Sequence, residues 1–294
     1  MRALPLGLLL LAATAAAAQV KPKPQRDVPT LVTKDDAVRE REAQERAGIP
    51  VARATHAEGR LEAMNTQGDW TALQEGARVV TGDRLRTLES TTARLDFPWV
   101  QLALGARSAV TIMSSRVLTA EVLEGRAEQR SEPGAHLMRM RTREAVVRGD
   151  GHVVVRREGE VTLVTVLEGR VLITSGGTTR AVKKGEGAIS RPNTPPERVQ
   201  PPVAPTALVP GADPAYVVDG HGVSLAWSGT QRDHVVQILE LASDEVLVQR
   251  EVTGRSVTVD VPWEGTFRWR VATRAPSGLE GLPSDSGYFC RVAR

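Results

Sequence analysis

The sequence has one cysteine, Cys290, in 294 residues. A single thiol cannot close an intramolecular disulfide or supply the cysteines of a structural zinc site. The histidines His56, His136, His152, His221 and His234 are scattered and make no His-x-His or His-x3-His pair. Aromatic residues form only 3% of the chain, so the core must come mostly from Val, Leu, Ala and Ile. Excess charge of one sign is also lacking. Against 38 Lys and Arg stand 35 Asp and Glu, a formal +3, and no long basic block occurs, so nucleic acid is not an expected partner. Gly-x-Ser-x-Gly, P-loop and dinucleotide fingerprints are missing. The expectation is no cofactor, no metal and no enzyme; a hydrolase with carboxylates drawn from distant loops is the less favoured alternative.

One apolar run exists, Leu4 to Ala13, after Arg2 and before the small-residue site Ala16-x-Ala18. This reads as a secretory signal over 1–18, with cleavage before Gln19. The run is short for a membrane span, which needs about 20 residues. No cysteine follows it, so a lipid-modified cysteine anchor is excluded. Residues 19–51 are expected to be a disordered polar segment plus a short charged helix over Asp35–Ala47. Thr33 can cap that helix, and Gly48 and Pro50 stop it.

What is abundant is glycine beside β-branched residues. From Gly159 to Ile189 the pattern predicts four short strands separated by the turns Glu168-Gly169, Gly176-Gly177 and Gly185-Glu186-Gly187. The stretch Val122-Leu-Glu-Gly-Arg126 repeats as Val166-Leu-Glu-Gly-Arg170, with a weaker copy at Glu58-Gly-Arg60. The spacings of these glycines, 66 and 44 residues, are unequal, so a regular solenoid array is not implied. Each copy reads as a strand-turn-strand device with solvated charges.

Gly68-Asp-Trp-Thr-Ala-Leu73, Gly76 to Thr87, Ala93-Arg-Leu-Asp-Phe97, Val100 to Leu104 and Ser108 to Ile112 resemble the start of a FecR domain. Ala145 to Gly149, Val166 to Val171 and Lys184 to Gly187 continue that resemblance, which spans 52–191. Gly149-Asp-Gly-His152 departs from the family's usual Gly-Thr-x-Phe, and Phe97-Pro-Trp99 from its polar glycine turn. The resemblance implies an extracytoplasmic binding domain. Better known members add a cytoplasmic anti-sigma segment and a membrane span that relay a transport signal to a sigma factor. The expectation is that this chain has room for neither.

Residues 192–214 read as a Pro-rich linker, with eight prolines between Arg191 and Pro214. Pro205 to Pro210 is a candidate first strand of the C-terminal domain. Residues 215–294 resemble a fibronectin type III module, with Trp227 and Trp269 as core tryptophans and Arg268 and Arg270 pointing out. Cys290 is expected to be buried in the last strand.

The expected fold class is therefore all-β: a FecR-like domain of short strands and glycine turns, solenoid-like or a sandwich, then a fibronectin type III-like sandwich. The expected role is an exported protein-binding, scaffold or signalling module of a Gram-negative envelope, periplasmic or secreted. An envelope protein is the expected partner, with cell-wall glycan as the alternative. The candidate interaction residues are Trp99, Phe97 and His152. Trp99, at a hairpin tip, is either an exposed contact or folded back onto neighbouring strands. His152 is either a pH-sensitive group or a half-buried, hydrogen-bonded one.

Overall fold

The computed structural model describes residues 52–292 apart from 66, 90, 98, 115–118, 132–137, 214–215, 221 and 262. The expected signal, the segment and helix at 19–51, Pro98, His136 and His221 lie outside the described residues. Those described form strands and turns, with no helix among them: the described part of the chain is all-β, as its strand patterning predicts.

The strands of the first half are longer than the glycine pattern suggests. Thr119–Ser131 has 13 residues, Val146–Glu158 has 13 and Val161–Ser175 has 15. The Glu-Gly-Arg stretches are not hairpin turns. Gly125 and Gly169 sit inside strands, at the points where the strands change neighbours. Before Gly125 the strand pairs with Ala109–Ser114 and Met138–Arg141; after it, with Val100–Leu104 and Val146–Glu158. Before Gly169 the strand pairs with Gly187–Ser190, and after it with Thr178–Lys183. Glu58-Gly59-Arg60 does the same between Ala52–Glu58, which pairs with Thr92–Phe97, and Leu61–Met64, which pairs with Arg84–Thr87.

These are corners at which one continuous sheet folds over into two layers, as sandwich strands do when they switch sheets through bends and bulges. Glycine is required at the bends by φ and by space. Gly125 has φ +77°, and a Cβ there would lie 2.5 Å from the Arg107 carbonyl oxygen. Gly169 has φ +80°, and a Cβ would lie 2.7 Å from the Asp150 carbonyl oxygen. Residues of both layers share one core: Leu95, Leu102, Leu104, Ala127, Val153, Val155, Val164 and Val166 from one, and Leu61, Leu85, Val110, Ile112, Val122, Val147, Val171 and Ile173 from the other.

After residue 200 the pairing starts afresh. A three-stranded sheet orders Thr206–Val209, Gly222–Ser228 and Ser256–Asp260. A six-stranded sheet runs Val217–Asp219, Gly287–Val292, Gly265–Arg274, Asp233–Glu240 and Val246–Thr253, with Glu280–Pro283 beside Gly265–Arg274. Between them lie Leu225, Trp227, Val236, Ile238, Phe267, Trp269, Val271 and Phe289. Trp269 is fully buried, and its Nε1 donates to the Pro210 carbonyl oxygen at 3.0 Å. Cys290 is half-buried, less enclosed than expected. Residues 192–214 contribute two short strands, Glu197–Val199 and Thr206–Val209. Pro196, Pro201, Pro205 and Pro210 are buried, and Thr273 Oγ1 donates to the Val203 carbonyl oxygen at 2.9 Å. The proline stretch is thus laid against the strands rather than standing off as a bare spacer.

Candidate functional site

Alternation along Thr119–Ser131 sends Ala127 into the first core and Arg126, Glu128 and Arg130 to its outer face. In a lone sandwich that face would be solvated. Here the outer face of the six-stranded sheet covers it. Arg126 and Glu128 are 1% and 6% exposed. Arg126 Nε and Nη2 donate to Glu280 Oε2 and Oε1, each at 2.8 Å, and Nη2 also pairs with Glu128 Oε2 at 2.7 Å. Glu128 further accepts from Gln237 Nε2 at 3.1 Å and Arg270 Nη2 at 3.5 Å, and pairs with His152 Nε2 at 2.5 Å. One strand over, Arg156 bridges Glu158 and Glu251, and Arg274 also reaches Glu251. At the periphery Arg94 pairs with Glu245, while Leu163, Ile189 and Leu279 make a small apolar cluster. Arg268 and Arg270 leave the sandwich core, as alternation requires, but not for water: Arg270 meets Glu128, and Arg268 pairs with Asp244.

The electrostatics follow from this enclosure. Burial alone would push Glu128 up; Arg126, the His152 hydrogen bond and Arg270 outweigh it and hold the carboxyl well below its usual range. Glu251 is likewise lowered, burial being outweighed by Arg156 and Arg274. Burial lowers Arg270, with Glu128 opposing. A carboxylate locked in its ionised form by several donors suits cohesion better than proton transfer, which works best with a pKa near the operating pH. A cavity of about 40 Å³ remains between Glu128, His152, Arg270, Gln249, Arg94 and Glu245. Among the described residues no cluster of His, Cys, Asp or Glu could hold a metal ion.

The structure separates the three residues singled out from sequence. Phe97 is 7% exposed and packs in the first core. His152 is half-buried beside Glu128 at the covered face. Trp99 is 53% exposed at the turn between Thr92–Phe97 and Val100–Leu104. The charged group around Arg126 and Glu128 is not among the sequence-based expectations. Its only local signal is the strand alternation, which marks these residues as outward and says nothing of what covers them.

No protein-family model matches the chain, and no curated protein does. Among solved structures it is similar to a protein of Parabacteroides distasonis assigned as an anti-sigma factor, seen in two crystal structures. That match has 21% identity and a TM-score of 0.35, and covers 40% of this chain and 58% of that one. It is also similar to the extracellular domain assigned to a one-component system of B. thetaiotaomicron. There the identity is 8% and the TM-score 0.20, with 63% of this chain and 35% of that one covered. The chain thus spans little over half of the first relative's length.

Proposed function

We propose that the protein is a binding module of the bacterial envelope that acts by docking a protein partner and not by catalysis. Residues 52–191 would be its FecR-like domain and 215–294 a fibronectin type III-like module fixed against it. The observation that carries this reading is Trp99. An aromatic ring that is 53% exposed sits on a hairpin whose other large apolar residues, Leu95, Phe97, Val100, Leu102 and Leu104, are all buried. Tryptophan held on a rigid support is a residue type enriched at binding hot spots. Its place at the tip of two paired strands gives it little entropy to lose on docking.

The test is a photo-crosslinking residue at position 99 in cells, followed by affinity measurement with the captured protein. Trp99→Ala is expected to weaken that complex by about 2 kcal/mol or more, with the melting temperature unchanged. Unchanged affinity, or turnover of a peptide or glycan that is lost on changing one carboxylate, would overturn it.

A further inference from the structure

The two outer faces of the first sandwich differ. One is covered by the six-stranded sheet. The other is built by Leu61–Met64, Arg84–Thr87, Ala109–Ser114 and Thr119–Ser131 up to its bend and, continuing the sheet, by Met138–Arg141, Val146–Glu158 up to its bend, Val161–Ser175 beyond its bend, and Thr178–Lys183; these last four strands make one contiguous part of it. Inward from it point Met140, Val147, Val171, Ile173 and Val182, all in the core. The register fixes what faces outward. Arg139 stands opposite Arg148, Arg148 opposite Leu172, Arg141 opposite Val146, and Arg170 opposite Lys183. Arg148, Arg170, Lys183 and Leu172 are exposed, Leu172 to 44%.

Among the described residues none of the five cationic side chains takes part in an ion pair or side-chain hydrogen bond. The carboxylates in register with them are Glu121, beside Arg141, and Asp150, beside Arg170, and Glu186 Oε2 accepts from the Lys183 backbone N–H at 3.1 Å. The five cations outnumber the carboxylates beside them. Two of the cross-strand pairs, Arg139 with Arg148 and Arg170 with Lys183, set like charges directly opposite, which weakens a sheet. Met138–Arg141, Val146–Glu158 and Val161–Ser175 each have a neighbour on both sides, so Arg139, Arg141, Arg148 and Arg170 do not serve to protect an exposed edge from strand addition; Lys183 stands on Thr178–Lys183, which pairs on one side only.

We propose that this face docks the protein peripherally onto a membrane surface rich in anionic lipid headgroups. Neighbouring strands are about 4.8 Å apart and alternate residues about 7 Å. The cations therefore spread in two dimensions over a sheet face rather than along one strand. A two-dimensional array of phosphates fits that layout better than one linear acidic strand would. Leu172, exposed at its centre, supplies an apolar contact below the headgroups. Bound phosphates would neutralise the opposed like-charge pairs, so the arrangement is worse in water than on the surface it binds. Trp99 has no part in this face.

The test uses the chain from Gln19 onward, which lacks the apolar run Leu4 to Ala13 that would itself bind lipid. It is sedimented with vesicles of phosphatidylglycerol and phosphatidylcholine, and with phosphatidylcholine alone. Binding is expected to the anionic vesicles only, and to vanish at about 0.5 M salt. Arg148→Ser with Arg170→Ser should weaken it about tenfold or more while the melting temperature holds or rises, since both like-charge pairs are relieved. Leu172→Ser provides a second, charge-neutral variant and should weaken it less. Equal binding to both vesicle types, no binding, or wild-type binding by the double variant would overturn the proposal. So would capture of soluble polyglutamate in preference to the vesicles, which would assign the face to an acidic polymer.

Discussion

Arg126 and Glu280 are 154 residues apart in sequence and meet in a two-pronged ion pair, with both donor-acceptor distances at 2.8 Å. Both side chains are at least 95% buried. The pair joins the outer face of the first sandwich to the outer face of the second. Removing one partner strands a charge where water cannot reach it. Glu280→Ala is therefore expected to cost about 3–5 kcal/mol, whereas replacing both, Arg126→Met with Glu280→Leu, should be close to neutral. Urea unfolding of the single and double variants measures this. A double variant as unstable as the single one would show that packing, and not the stranded charge, carries the cost.

Acid should loosen the same interface. Glu128 and Glu251 both have folded pKa values lowered by their arginine partners against the effect of burial. Such groups contribute stability that is fully present above the unfolded value, about 4.3, and lost as pH falls through the folded value. The urea midpoint should stay level down to about pH 5 and fall below about pH 4. Glu128→Gln should flatten the fall; if its midpoint drops as steeply as wild type, other carboxylates are responsible.

Gly125→Ala is expected to destabilise by about 1–3 kcal/mol, since the added Cβ would meet both the Arg107 carbonyl oxygen and Ser108 Oγ at 2.5 Å. Alanine at Gly159, where nothing lies within 4 Å, should cost only the strain of positive φ, about 1 kcal/mol. Equal losses in thermal melts would mean that backbone strain alone matters at the corner.

Trp269→Ala should cost about 3–5 kcal/mol, as truncation of a buried aromatic does. Because the sheet that carries Trp269 also covers Arg126 and Glu128, the first sandwich should lose stability with it. Calorimetry is expected to show one shared transition. A low transition for residues 215–294 beside an unshifted one for 52–191 would mean that the buried charges do not couple the two.

Slow cleavage is expected between residues 191 and 214, where the prolines are partly buried and two short strands pair. Limited proteolysis that nicks this stretch first would return it to the status of an open spacer.

Alternating β-branched residues and frequent glycine turns were enough to predict the all-β fold of the described residues, since period-two patterning needs only local information. The resemblance to a fibronectin type III module placed Trp227 and Trp269 in a core, and both are buried. It also placed Arg268 and Arg270 outside that core, and there the information in the sequence ended. A strand's outer residue is written the same way whether a second sheet, water or a partner lies beyond it. Nor could Glu-Gly-Arg declare itself a corner: glycine with positive φ serves a hairpin and a bend alike, and only the change of pairing partner at Gly125 and Gly169 separates them. Tertiary packing alone decided that one charged face would be sealed with Glu128, Glu251 and Glu280 matched to arginines, while on the other, five cations would have no ion pair among the described residues. Contacts between residues more than a hundred positions apart leave no local pattern in the chain.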